Sequence, residues 1–523
     1  MVSELFPSSA SPSRHNWSHH LTDHLNELRV HLAELSDLHH TNQLLNWDQQ
    51  TMMPPRGAAA RAESLATLGR ISHDMFVSAQ TGRLLDAAAS ALDAADPDSD
   101  DSRLVEVTRR RYEKARRVPG ELSADIARAA SLGQEAWARA RASSDFKAFL
   151  PYLERNLELA SRYINCFEDF ERPYDVLLDD FEPGMRSAEV ARLFEELGRE
   201  LVPLIARVRS EGREPDASCL HGSFPVEQQR ALVAQVLARM GFERSSWRMD
   251  DAVHPFATSF GSADVRITTR WDESYFASGL YGAMHECGHG LYESGIADSL
   301  QRTPLGSAES LGLHESQSRM WENMVGRGKP FSTILAPLIA NTFGGTFAQL
   351  EAGTLYRAVN RVNPSFIRVE ADEATYGLHI VLRFELEQQL IEGQIKAAEL
   401  PEAWNAGFHR YLGLEVTDDA DGVLQDVHWS AGMVGYFPTY ALGNMIAGQL
   451  WQRAHRDLPD LDQCIADGDL RPLREWLREH VHRHGAKFSA AELLERVTGE
   501  PISVAPFVGY LKEKLGEVYE LEL

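Results

Sequence analysis

The stretch Tyr281-Gly282-Ala283-Met284-His285-Glu286-Cys287-Gly288-His289-Gly290-Leu291 holds an H-E-x-x-H pentapeptide in helix-compatible flanks. On an α-helix, positions i and i+4 are about 40° apart in projection. His285 and His289 therefore point from one face toward one metal ion. Glu286 is too near the first histidine to coordinate comfortably, but it is placed to take a proton from a water held at that metal. Cys287 projects about 200° around the helix from His285, away from the metal face, and reads as a packing residue.

The β signal lies immediately upstream. Val253-His254-Pro255-Phe256-Ala257-Thr258-Ser259-Phe260-Gly261 and Asp264-Val265-Arg266-Ile267-Thr268-Thr269-Arg270-Trp271 are rich in β-branched and aromatic residues, with a Gly-Ser turn between them. This predicts a small hairpin over 252–271. A strand pair beside a metal-binding helix suits a peptide hydrolase, because an edge strand can hold an extended peptide by backbone hydrogen bonds.

Helical pattern fills the rest. A first helix over 21–50, with Leu25, Leu28, Leu32, Leu35 and Leu38 on one face, is closed by Met52-Met53-Pro54-Pro55. Residues 57–92 read as helix with a break near Ser72 and His73, and the Asp-rich run 93–101 reads as a turn and helix start. Further helices are expected over 103–140, 146–181 and 187–212, over 275–296 around the motif, and then over 308–326, 331–360, 370–398, 401–412, 439–456, 470–483, 488–498 and 503–518. The histidines at 15, 19, 20, 24, 31, 39 and 40 read as surface residues of an amphipathic helix. With no Gly/Ser linker and no repeat period, the expected organisation is a mainly α chain: a disordered tail over 1–20 and a single large helical domain over 21–523.

Hydrophobic residues make up 43% and charged residues 25% of the 523, enough for a large core. The net charge of −25 argues against nucleic acid as the main partner, since phosphates call for a basic surface. Cys166, Cys219, Cys287 and Cys464 form no C-x-x-C pattern, so neither a disulfide framework nor a cysteine zinc site is expected. The first 20 residues lack the charged start and apolar core of a secretory signal, and no run approaches a membrane span. A cytoplasmic setting without a membrane partner follows as the expectation.

Two histidines do not complete a catalytic metal site, which usually has three protein ligands and an open position. About 20 residues beyond His289, the segment Glu309 to Asn323 supplies Glu309, Glu315 and Glu322, and His314 is not excluded by spacing. The oxyanion of a tetrahedral intermediate also needs a donor. His428, Tyr436 and Tyr440 lie in a glycine-containing loop suited to close approach. Arg266, Arg270 and Arg368 offer guanidinium forks of the kind that bind carboxylates.

The pair His285-Glu286-Cys287-Gly288-His289 and His314-Glu315-Ser316-Gln317 resembles the thermostable carboxypeptidase Taq family of zinc metallocarboxypeptidases. The resemblance extends to His254-Pro255-Phe256, Asp264-Val265-Arg266-Ile267-Thr268-Thr269-Arg270, Ile367-Arg368-Val369-Glu370-Ala371-Asp372, Gly422-Val423-Leu424-Gln425-Asp426-Val427-His428-Trp429 and the N-terminal run from Leu45 to Gly57. It implies a deep central substrate groove covered by the N-terminal helices. It also implies Glu315 as the third ligand, His428 and Tyr436 as catalytic residues, and a homodimer. Arg368 is favoured for the substrate carboxylate, with Arg266, Arg270 and His254 as further substrate-binding residues. The expected activity is removal of C-terminal residues from peptides with a free C-terminus, with Zn²⁺ as the cofactor and Co²⁺ or Mn²⁺ as possible substitutes. An endo-acting zinc oligopeptidase is the alternative hydrolase. A non-catalytic helical binding protein would be expected to lack Glu286 or a ligand, and all four residues are present.

Overall fold

Ala- and Leu-rich segments closed by short polar caps make up most of the chain in the computed structural model, which describes residues 14–92 and 95–523, with side chains from Asp23 onward. Ser78, Ser99, Asp145 and Asp372 each accept a backbone N–H from the first turn of the helix that follows, satisfying donors a helix leaves unpaired. Among the described residues, strands form one sheet: β1 (Trp247–Asp251), β2 (Ala257–Ser259) and β3 (Val265–Thr269), in the order β1-β3-β2. β3 is central, antiparallel to β2 and parallel to β1.

The sheet exists to back one helix. The motif helix, Phe276–Gly295, follows β3 directly and buries Leu280, Tyr281, Met284, Leu291 and Tyr292, each worth about 1.5–3 kcal/mol of apolar burial. Across it lies the helix Leu311–Arg319, which carries the candidate third ligand Glu315 and is called the ligand helix for that reason; it packs in turn on the helix Pro438–Asp457. Two glycines set these spacings. A methyl group at Gly288 would stand 2.7 Å from the Ser318 Cα, and one at Gly443 would stand 2.8 Å from the Glu315 Cγ. Both are closer than packed carbons tolerate, so the ligand helix approaches both neighbours only because these positions lack side chains.

The first helix, Arg14–Thr51, ends just before the expected Met-Met-Pro-Pro break. Its buried Trp47 lies against the guanidiniums of Arg248 (5.0 Å) and Arg266 (4.3 Å), paired residues of β1 and β3, which fastens this helix to the sheet. The expected tail falls largely outside the described residues, as does the start of the Asp-rich turn at 93–94.

Several expectations are corrected. β1 was not foreseen, because Trp-Arg-Met-Asp-Asp has no β-branched residue and only its pairing with β3 makes it a strand. The helices Val226–Met240 and Leu461–Ala466 also escaped the pattern. The expected helix over 331–360 is two, Lys329–Phe343 and Ala352–Val359, because Gly344 and Gly345 adopt positive φ (60° and 54°). Pro119 divides the segment over 103–140, and that over 146–181 divides into Phe146–Ile164 and Pro173–Leu178. The break placed near Ser72 and His73 falls instead at Ser78, the cap of the next helix. His31 is not a surface residue: it is buried, with its Nε2 2.8 Å from the Thr81 hydroxyl.

Candidate metal centre

His285 and His289 project from the same face of the motif helix, as their spacing requires. The Glu315 Oε2 lies 3.5 Å from the His285 Nε2 and 3.4 Å from the His289 Nε2. Metal bonds of about 2.1 Å in tetrahedral array put their donor atoms about 3.4 Å apart. Two of the three donor separations are therefore those that one tetrahedral ion requires, and all three donors lie within 4.8 Å of one another.

The other candidates for a third ligand are engaged elsewhere. Glu309 pairs with Arg110 and Arg111. His314 faces Glu293 at 3.0 Å and stacks on His289, ring centroids 4.4 Å apart. Glu322, on the π-helical turn Met320–Gly326 that continues the ligand helix, accepts from the His285 Nδ1 at 2.9 Å. That contact leaves the Nε2 as the free donor, the usual way a carboxylate fixes the tautomer of a metal-binding histidine.

The electrostatics of this cluster favour a cation. Burial disfavours a charged His285, but Glu315 and Glu322 outweigh it and raise its pKa. Burial and the neighbouring carboxylates hold Glu286 up to about 7, against the lowering effect of His285. Glu315 and Glu322 pair with the guanidiniums of Arg319 and Arg327, which leaves Glu286, held near neutrality, as the carboxylate without a cationic side chain of its own beside the two histidines.

A second charged cluster is built from the downstream motifs. Asp426 sits between two buried guanidiniums: Arg368 donates to Oδ1 through Nε at 2.9 Å, and Arg383 to Oδ2 through Nε at 2.7 Å. Burial opposes its charge, but the two arginines hold its pKa far below the usual carboxylate range. Gln425 accepts from the Arg368 backbone N–H and donates to the Phe366 carbonyl, tying the two motifs together. His428 meets the Tyr440 hydroxyl at 3.2 Å, and Tyr436 and Tyr440 have ring centroids 5.3 Å apart. Burial lowers the His428 pKa to about 3, so its ring is neutral. Burial and the Glu315 charge raise Tyr436 to about 12.

Tyr376 stands between the clusters. Its ring lies 4.0 Å from the Arg319 guanidinium carbon, and its hydroxyl accepts from the Arg368 Nη1 at 3.0 Å. Neither Tyr376 nor Arg319 was singled out from the sequence, although Arg319 follows Glu315 by one helical turn and was legible as an i,i+4 pair. Glu322 was noted only as a potential ligand.

The remaining expected residues sit on the sheet side. Asp264 grips Arg266 with two hydrogen bonds of 3.0 Å, and Trp47 and Phe260 cover it. Thr268 holds the His254-Pro255-Phe256 loop by bonding both the N–H and the carbonyl of Phe256, and Thr269 bonds the Gly279 carbonyl in the motif helix. The Asp-Val-Arg-Ile-Thr-Thr motif is in this sense a bracket. His254 and Arg270 are exposed at either side of it.

A helical body carrying a His-Glu helix beside a third carboxylate defines a metallopeptidase-type centre, and the comparisons give the family. A family model described as carboxypeptidase Taq (M32) metallopeptidase matches residues 27–515. Thermostable carboxypeptidase 1 of Thermus thermophilus is 41% identical over 485 residues, covering 91% of this chain and 95% of that protein. Carboxypeptidase 1 of Bacillus subtilis is 38% identical over 493 residues, covering 94% and 97%. The crystal structure of the M32 carboxypeptidase from Deinococcus radiodurans R1 superposes with a TM-score of 0.92 at 38% identity, covering 95% of this chain and 100% of that one. The chain belongs to the carboxypeptidase Taq (M32) family and is a metallocarboxypeptidase, with a divalent metal implied by the family. Among the described residues, no helix is long and apolar enough to cross a membrane.

Proposed function

We propose that the protein is a zinc carboxypeptidase that removes residues from the free C-terminus of peptides. His285, His289 and Glu315 would hold the ion, and Co²⁺ or Mn²⁺ would fit the same donors. The observation that carries this reading is the convergence of three donors within 4.8 Å of one another, beside an acid whose pKa stands near neutrality. A bound zinc ion would supply Lewis acidity, polarising the scissile carbonyl and acidifying a water. Glu286 takes the proton of the attacking water and delivers it to the leaving amine. Tyr436, close enough to feel the Glu315 charge and still protonated, donates to the developing oxyanion, while neutral His428 orients the tyrosine pair through Tyr440.

Arg368 anchors the substrate carboxylate. Asp426 is shared with Arg383, so one carboxylate serves two cations and the cluster keeps a positive surplus. β2 is an edge strand of the sheet, and the peptide would run along it past His254 and Arg270. Arg266, closed by Asp264, supports this wall by holding Trp47 and with it the first helix. The domain spanning 21–523, a homodimer and a cytoplasmic setting belong to the same reading; size-exclusion chromatography and cell fractionation check the last two.

The deciding experiment combines metal analysis of the purified protein with mass-spectrometric products from one short peptide, free and amidated at its C-terminus. One zinc per chain and stepwise loss of single residues from the free peptide are expected. Internal fragments, or equal cleavage of the amidated peptide, would overturn the carboxypeptidase reading in favour of an endo-acting oligopeptidase.

A further inference from the structure

Glu315 has two oxygens, and the structure treats them differently. Oε2 faces both histidines and also accepts from the Ser318 hydroxyl at 3.1 Å. Oε1 turns away and accepts from the Arg319 Nε at 2.7 Å. The Arg319 guanidinium is itself fixed, over the Tyr376 ring with its carbon 4.0 Å from the ring centroid and its Nη1 3.5 Å from the Glu322 Oε2. Glu315 packs close to the backbone at Gly443, where even a methyl group would stand 2.8 Å from its Cγ and 2.9 Å from its Cβ.

We propose that Arg319 is a positioning residue that holds Glu315 to one-oxygen coordination and so keeps a position at the metal open for the substrate carbonyl. This rests on Glu315 being a ligand. A carboxylate gripping an ion with both oxygens fills a second position, and a catalytic site with three protein ligands works only while one position stays exchangeable. A charge-assisted hydrogen bond to Oε1 occupies the oxygen that would otherwise close that position. A role in charge balance alone would leave the geometry of the ion unchanged when Arg319 is removed, which makes the two roles separable.

The test is the visible absorption of the cobalt-substituted full-length protein, whose intensity falls as the coordination number rises. Arg319→Met is expected to keep one cobalt per chain, lose absorption intensity, and lose about 100-fold in kcat, with a smaller change in KM. If Arg319→Met does not fold, Arg319→Lys, which restores charge without the planar fork, is expected to move the spectrum in the same direction. A cobalt-loaded variant with the parent spectrum and parent kcat overturns the proposal. Glu315→Gln separates this from the reading beneath it. If that variant retains cobalt with an unchanged spectrum, Glu315 is not a ligand and the assignment of the metal centre fails. If it changes the spectrum while Arg319→Met and Arg319→Lys do not, only the role of Arg319 fails.

Discussion

The two charged clusters on either side of Tyr376 differ in what their ion pairs leave over. Around the histidines, Glu315 and Glu322 are matched by Arg319 and Arg327, and the carboxylate left over is Glu286, held up to about 7. Around the loop motif, Arg368 and Arg383 outnumber Asp426. Burying an unbalanced set of charges is costly unless a further charge completes it. The first cluster thus presents nitrogen and oxygen donors of the kind a cation takes, and the second a guanidinium in excess of the kind an anion takes. In the proposed reading a peptide end brings its carbonyl to the one and its carboxylate to the other, with Tyr376 in contact with both clusters. The lesson is that the groups a buried network leaves over, after its internal pairs are counted, indicate the ligand it suits.

The comparison breaks most decisively at Glu286. Glu286→Gln removes a base without removing a ligand, so metal content should hold while kcat falls about 1,000-fold or more, as single-turnover assay beside metal analysis would show. Full turnover in the metal-loaded variant would break the assignment. Asp426→Asn should destabilise by about 3–5 kcal/mol, measured by denaturant unfolding, because it leaves two buried guanidiniums uncompensated. The same group sets a pH dependence. Its folded pKa is depressed, so the stability it contributes is present above its unfolded pKa of about 4 and is lost as pH falls through and below that value. The Asn variant should lose that acid-side slope.

Weakening the anion site without stranding a charge sharpens the contrast further. Arg368→Lys keeps the cation but loses the fork, and kcat/KM on free peptides should drop about 10- to 100-fold while the residual rate on amidated peptides stays put. Equal losses on both substrates would mean that Arg368 supports the fold and not the carboxylate. The smallest effect on turnover is expected at Glu322→Gln, where loss of the charged partner of the His285 Nδ1 should weaken metal binding about 10- to 100-fold in chelator competition, with kcat at saturating metal little changed.

Legibility in the sequence followed the range of the interactions. The motif helix, the hairpin and most helical segments were readable because periodicity, caps and turn residues act within a few positions, and His285, Glu286 and His289 share one helical turn. The third ligand was not fixed by spacing: four residues qualified, and the resemblance to a family, not geometry, singled out Glu315. Arg319 and Glu322 sit within seven residues of Glu315, yet their roles depend on which oxygen or ring nitrogen each one faces. Arg266 looked equivalent to Arg368 in sequence, but one is closed by Asp264 beside Trp47 and the other is shared through Asp426.

By itself, then, the sequence determined a mainly helical chain, a helix with metal-ligand spacing behind a small hairpin, and the residue types that metal-assisted hydrolysis requires, because each of these is written in local spacing. The tertiary structure alone decided β1, the close passage of the Leu311–Arg319 helix at Gly288 and Gly443, and the sorting of arginines and carboxylates into two separate clusters. Those features join residues up to more than a hundred positions apart. No periodicity encodes such pairings; they arise only when packing brings the helices together and each buried charge must find its partner.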